Sequence, residues 1–125
     1  MKTHWILIFL FLFLAASSVQ AQPASKPALG AVVRSDSMAV AAKKQSGVQE
    51  EGGVLVEEVV ANSSAQAGGI LKNDIIVRIN DATINTASEF VALIQTFKVG
   101  DNINLSLYRN KKLIVKNVQL KARTN

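Results

Sequence analysis

The residue types on which most catalytic sites depend are scarce in this chain. Its 125 residues contain no cysteine and a single histidine, His4, which lies ahead of a long apolar run. A Ser-His-Asp triad, a thiol nucleophile and a zinc site built from His or Cys each need one of these side chains. Residues 22–125 contain neither type, so these three kinds of chemistry are excluded from that part of the chain.

Two kinds of catalytic chemistry remain open on composition alone. Serine and lysine are both present, but no motif singles out a Ser-Lys pair. Paired carboxylates occur at Glu50-Glu51 and Glu57-Glu58. Because neighbours on a strand point to opposite faces, we interpret both pairs as solvated or structural charges. The chain is therefore predicted not to be an enzyme and to need no metal or other cofactor.

The charge balance is mildly basic, with 14 basic against 9 acidic residues. Much of the excess lies near the C-terminus, at Lys111, Lys112, Lys116, Lys121 and Arg123. A nucleic-acid surface needs a dense basic face, often with aromatic side chains on which bases stack, and aromatic residues are few here. We therefore expect a solvated basic face and no nucleic-acid partner.

Residues 1–21 have the pattern of a secretory signal peptide. Lys2 and His4 form a short polar start, Trp5–Ala16 is apolar, and Val19-Gln20-Ala21 fits the small-x-small pattern before a cleavage site. The apolar run is shorter than the roughly 20 residues of a membrane-spanning helix. We predict cleavage after Ala21 and an exported protein, periplasmic or secreted, with an uncleaved membrane anchor as the alternative.

The remaining sequence alternates short apolar stretches with turn residues, which is typical of a small α+β domain. Strands are predicted at Leu29–Val33, Gly53–Val60, Asp74–Asn80, Asn102–Tyr108 and Leu113–Leu120. Helices are predicted at Met38–Lys44 with Ser37 as N-cap, as a single turn after Asn62-Ser63-Ser64, and at Thr86–Phe97. The expected fold is a small, partly open antiparallel β-barrel or sandwich of about five strands with two to three helices.

The Thr86–Phe97 helix has a broader apolar surface than a single core seam requires. At about 100° per residue, Phe90, Leu93 and Phe97 form one group. Ala87, Val91 and Ile94 form a second group beside it. Either both groups pack in the core, or the second lines a groove beside an exposed strand, and the periodicity leaves both readings open.

Six short motifs follow one another in order through this part of the chain. They are Leu29-Gly30-Ala31-Val32; Gly53–Val56 with Val59; Ser63–Ile70 followed by Asn73–Ile76; Ile79-Asn80-Asp81; Phe90 and Ile94; and Val99-Gly100-Asp101 with Arg109-Asn110. Together they resemble the PDZ domain, in the circularly permuted bacterial form found beside HtrA-type periplasmic proteases. The resemblance covers residues 28–122, with a flexible leader expected at 22–27 and a short tail at 123–125.

Three positions depart from the usual pattern of that family. Asn73 and Asp81 stand where glycine is common, and both residue types tolerate the left-handed backbone that such turns need. Ala28 replaces an aromatic residue that often precedes Leu29, which makes one wall of a binding pocket thinner.

The resemblance implies that the chain binds peptides. PDZ domains pair the C-terminal segment of a partner with an exposed strand edge, and backbone N–H groups bind its terminal carboxylate. The implied site residues are Leu29, Gly30 and Ala31 for the carboxylate, and Val32, Val33, Arg34, Ala87, Val91 and Ile94 for the peptide groove. The apolar side chains among them predict a ligand with an apolar last residue.

The expected partners are C-terminal segments of envelope proteins or of a protease or secretion component. The expected role is that of an adaptor, a scaffold or a regulator in the envelope or the secreted space. The alternative is a structural domain that associates with itself and offers no free groove.

Overall fold

The computed structural model describes residues 26–123, so the predicted signal peptide and most of the expected leader lie outside the described residues. The strands are β1 (Pro27–Ala28), β2 (Ala31–Arg34), β3 (Val54–Val59), β4 (Ile75–Ile79), β5 (Ala82–Thr83), β6 (Asn102–Arg109), β7 (Lys112–Gln119) and β8 (Lys121–Ala122). The helices are α1 (Ser37–Gln45), α2 (Ser64–Ala67) and α3 (Ala87–Ile94). Within residues 26–123, no helix has the length and apolar character needed to cross a membrane.

Every strand pairing in this part of the chain is antiparallel. The main sheet runs in the order β2-β3-β4-β6-β7, with β5 paired to β4 alone, and β1 with β8 forms a separate two-stranded sheet. β2 and β7 are therefore the two edge strands of an open sheet. This is the predicted α+β fold with a partly open antiparallel sheet.

The main core lies where the sheet packs against α3. Its fully buried side chains come from β3, β4, β6 and α3 and include Val54, Val56, Ile76, Ile79, Ile103, Leu105, Leu107, Phe90 and Ile94. Because side chains alternate along a strand, Ile75 and Val77 of β4 point to the face opposite Ile76, and a register shift between Ile76 and Arg78 brings Ile79 back to the core side. On the opposite face, Ile75 and Val77 form a second, smaller cluster with Val48 from the loop after α1.

Glu50 fastens that loop to the sheet. The Tyr108 hydroxyl donates to Glu50 Oε2 at 2.6 Å, and the Arg78 guanidinium donates to Glu50 Oε1. The hydrogen bond from Tyr108, helped by Arg78, holds the pKa of Glu50 below its usual value, and the same hydrogen bond raises the pKa of Tyr108. The stabilisation by ionised Glu50 is therefore present at neutral pH and is lost as the pH falls through the lowered pKa.

The elements begin and end close to their predicted positions, with small differences that hydrogen bonds explain. β2 begins at Ala31 because Leu29 and Gly30 form a turn in which Gly30 has a φ of 81°. The N-cap of α1 is Asp36 and not Ser37, since the Asp36 side chain accepts from the Ala39 N–H. α3 ends at Ile94, three residues earlier than predicted, with Gln95 as its C-cap.

The residues at the expected limits of the domain pair with each other. Pro27, expected in the leader, lies opposite Ala122 in the two-stranded sheet. The Arg123 N–H, expected in the tail, donates to the Lys26 carbonyl at 2.9 Å. Lys26, Pro27 and Arg123 are thus part of the folded domain and not of its expected leader and tail.

An ion pair between the almost fully buried Asp74 and the partly buried Arg109 joins the turn before β4 to the end of β6. Arg109 donates to both carboxylate oxygens of Asp74, at 2.8 and 2.6 Å, and its guanidinium also reaches the Gly69 carbonyl at 2.8 Å. The second Asp74 oxygen accepts from the Leu71 N–H at 2.8 Å. Asp74 is 2% exposed, and its hydrogen bond raises the pKa of Arg109.

We predict that Asp74→Asn lowers the free energy of unfolding by about 3 kcal/mol, because it leaves the Arg109 charge partly buried without its counter-ion. Urea unfolding measures the change. Glu57→Gln is the matched control: Glu57 also pairs with an arginine, Arg34, but is exposed, so the cost should stay below about 1 kcal/mol. Equal costs for the two variants would contradict the account.

Candidate functional site

A cleft of about 390 Å³ opens between β2 and α3 and continues past the Leu29-Gly30 turn towards β1 and β8. Phe90 and Ile94 of α3 line its interior and are themselves buried. Three apolar side chains at the cleft remain largely exposed, since Val32 is 44%, Val60 is 45% and Val91 is 50% accessible. An apolar ligand side chain would therefore find both a buried floor and an exposed apolar rim.

Three consecutive carbonyl groups at the end of the cleft are bound from inside the domain. The Ser64 hydroxyl donates to the Ala28 carbonyl at 3.0 Å. The Ala65 N–H donates to the Leu29 carbonyl at 2.8 Å, and the Val60 N–H donates to the Gly30 carbonyl at 2.8 Å. The donors belong to α2 or to Val60, the residue after β3, so the three carbonyls point towards α2 and the end of β3.

The direction of these carbonyls fixes the direction of the next three N–H groups. In a trans peptide unit the C=O and the following N–H point in opposite directions. The N–H groups of Leu29, Gly30 and Ala31 therefore point away from α2 and β3, and all three residues line the cleft. Within residues 26–123, the N–H groups of Leu29 and Gly30 have no hydrogen-bond acceptor. Such a row of backbone donors is suited to bind an anion.

The pairing of β2 with β3 leaves the other side of β2 open. The Val60 N–H donates to the Gly30 carbonyl, and Ala31 lies opposite Val59 in the register. Because hydrogen-bonded and non-hydrogen-bonded pairs alternate along an antiparallel ladder, the N–H and C=O of Ala31 point to the free edge. An extended peptide placed beside α3 could pair with these groups.

Two residues hold the turn in this shape. Gly30 adopts a φ of 81°, and a Cβ at this position would lie 2.2 Å from Ser63 Cβ. Ser64, which is buried, both donates to the Ala28 carbonyl and accepts from the Lys121 N–H at 2.8 Å. The hydroxyl thereby joins β1, β8 and α2 next to the turn.

Six of the nine predicted site residues line the cleft: Leu29, Gly30, Ala31, Val32, Val91 and Ile94. The structure does not bring the other three there. Val33 packs against the core, and Arg34 forms ion pairs with Asp36 and Glu57. The Ala87 N–H donates to Ser35 Oγ at 3.0 Å, so the first residue of α3 is tied to the chain that follows β2.

The burial of the side chains of α3 does not follow the two groups that its periodicity predicted. Ile94 of the second group is buried together with Phe90 of the first, whereas Val91 is exposed at the rim. Phe90 thus belongs to the cleft, and its spacing of four residues from Ile94 was the signal that places both on one helix face. The lining residues Lys26, Lys121 and Arg123 gave no such signal, because they lie in or next to strands of two residues, which are too short to show alternation.

Asn73 has a φ of 76°, the left-handed conformation expected for it. In the next turn the positive φ falls on Asn80, at 52°, and not on Asp81. In the part of the chain that the structure describes, no group of three His, Cys, Asp or Glu side chains could hold a metal ion.

The sequence profile of the PDZ domain family matches residues 27–120, and the chain belongs to this family. Among curated proteins, it is 36% identical to the periplasmic serine endoprotease DegP of Salmonella typhimurium over 73 residues, which are 58% of this chain and 15% of the relative. It is 32% identical to the serine protease Do-like HtrA of Bacillus subtilis over 75 residues, 59% of this chain and 17% of the relative. The chain thus spans less than a fifth of these relatives' length.

Solved structures show the same fold. An HtrA-type protease, a variant of AlgW with a decapeptide, matches with a TM-score of 0.75 and 20% identity over 94% of this chain and 35% of the other. The PDZ domain of HtrA3 bound to the phage-derived ligand FGRWV matches with a TM-score of 0.64 and 24% identity, over 78% of this chain and 88% of the other.

We predict that Gly30→Ala distorts the turn and lowers the free energy of unfolding by about 2–4 kcal/mol, since it combines an unfavourable φ with a close approach to Ser63. Gly47→Ala separates the two causes, because Gly47 has a φ of 69° and open space around it. Gly47→Ala should lower the free energy of unfolding by only about 1–2 kcal/mol, the cost of the left-handed backbone conformation alone. Thermal or urea unfolding measures both, and a Gly30→Ala protein as stable as Gly47→Ala would contradict the account.

Proposed function

We propose that the cleft binds the C-terminal segment of a partner protein. The segment would lie antiparallel to β2, pair with the free edge at Ala31, and place its terminal carboxylate at the N–H groups of Leu29, Gly30 and Ala31. The observation that carries this proposal is the set of three carbonyls turned inward, which points the three N–H groups the other way. Strand addition supplies main-chain hydrogen bonds, and the carboxylate fixes the end of the segment.

The chemistry of the cleft supports a preference for an apolar last residue. Phe90 and Ile94 offer a buried apolar floor, while Val32 and Val91 form the rim. The ligand of the HtrA3 PDZ domain, FGRWV, also ends in valine. A contact of this size supports an affinity in the micromolar range, which corresponds to about −8 kcal/mol.

The role that fits this site is that of a non-catalytic adaptor, scaffold or regulator in the envelope or the secreted space. Support for the compartment comes from the pattern of residues 1–21 and from the periplasmic DegP relatives. Support for the role comes from the matched region, which is the PDZ domain. The partners would be envelope proteins or a protease or secretion component.

The direct test is a titration of the protein with fluorescent peptides that end in different apolar residues, each with a free or an amidated C-terminus. We expect saturable micromolar binding of the free form and loss of at least tenfold in affinity on amidation, because amidation removes the charge that the three N–H groups would bind. Binding that is indifferent to amidation would contradict carboxylate capture. An absence of binding together with a concentration-dependent size would favour the structural, self-associating alternative.

A pair of variants tests the position of the site in the same titration. Val91→Glu puts a charge on the apolar rim and should weaken binding at least tenfold while leaving the unfolding curve unchanged, because Val91 is half exposed. Val40→Glu on α1 is the matched control, since Val40 is 51% exposed on a helix and does not line this cleft. Equal affinities of the two variants would contradict the assignment of the pocket.

A further inference from the structure

The charges of the cleft are all of one sign. Beyond the Leu29-Gly30 turn, the residues that line the cleft include Lys26, Lys121 and Arg123. No aspartate or glutamate is among the residues that line it. The end of the cleft at which the ligand's carboxylate is placed therefore has three cations and no acid.

The pairing of the arginines supports the view that these cations are available to a ligand. In residues 26–123, Arg34, Arg78 and Arg109 each form an ion pair with an acidic side chain. Arg123 is the only arginine of this part of the chain without an acidic partner within 4.0 Å, and its residue is exposed. The acidic pair of β3, Glu57 and Glu58, does not line the cleft, and Glu57 is already bound by Arg34.

Resting on the proposed function, we propose that Lys121 and Arg123, together with Lys26, select partners whose C-terminal segment is acidic next to its apolar last residue. Like-signed charges at one end of a cleft attract an oppositely charged ligand over a distance of about one Debye length, some 10 Å at 0.1 M salt. A terminal carboxylate contributes one negative charge, and acidic neighbours would add to the attraction. The gain lies mainly in the rate of association.

The test uses two dansyl-labelled decapeptides with free C-termini, identical except that one ends in Asp-Glu-Val and the other in Asn-Gln-Val. Association and dissociation rates with the protein are measured by stopped flow at about 0.01 M and about 0.15 M salt. We expect the acidic peptide to bind about five- to tenfold more tightly at the lower salt concentration, with most of the difference in the association rate. This advantage should shrink at the higher concentration.

Two charge-matched double variants locate the effect. Lys121→Gln with Arg123→Gln should remove most of the difference in affinity between the peptide that ends in Asp-Glu-Val and the one that ends in Asn-Gln-Val. Lys111→Gln with Lys112→Gln lowers the net charge by the same amount at the β6–β7 turn, which does not line the cleft, and should keep the preference. Equal effects of the two double variants would overturn the proposal.

Other outcomes separate this proposal from the proposed function. If the wild-type protein binds both peptides equally and loses both on amidation, the peptide site stands and the selection of acidic ligands is wrong. If neither peptide binds, the proposed function itself fails. Binding of phosphatidylglycerol vesicles that is lost in the Lys121/Arg123 double variant, with an unchanged peptide preference, would assign these cations to a membrane surface and overturn the proposal.

Discussion

Three consecutive carbonyl groups determine what this domain can offer to a partner. The carbonyls of Ala28, Leu29 and Gly30 are bound by donors of Ser64, Ala65 and Val60. Because each peptide unit is planar and trans, binding the carbonyl on the inside turns the next N–H outward. The row of donors at the end of the cleft is therefore a consequence of hydrogen bonds made behind it, and it is present before any ligand arrives.

The rest of the fold supports the Leu29-Gly30 turn. Ser63 caps α2, and the approach of its side chain leaves room only for glycine at position 30. The Asp74–Arg109 pair fastens the chain after α2, through Gly69 and Leu71, to the internal strand β6. Phe90 and Ile94 anchor α3 in the core, which holds Val91 at the rim opposite the free edge of β2.

The sequence allowed the main strands and the three helices to be predicted, because apolar alternation and N-caps are local signals. It did not reveal β1 and β8, because each strand is only two residues long. Their pairing of Pro27 with Ala122 also joins residues that are far apart in the chain. For the same reason the sequence did not predict that Lys26, Lys121 and Arg123 line the cleft. Val33, Arg34 and Ala87 do not line the cleft, and their part in peptide binding stays a prediction. Val33 packs against the core, Arg34 pairs with Asp36 and Glu57, and the Ala87 N–H donates to Ser35 Oγ.

The central claim is that a peptide carboxylate binds the outward N–H groups while the peptide pairs with β2. The most direct measurement is the nitrogen–proton correlation spectrum of the protein with and without a valine-ending peptide, combined with amide hydrogen exchange. We predict the largest shifts and the slowest new exchange at Leu29, Gly30 and Ala31, with smaller changes along β2 and at Val91. Changes concentrated on the other edge strand, β7, with these three amides unaffected, would contradict the account.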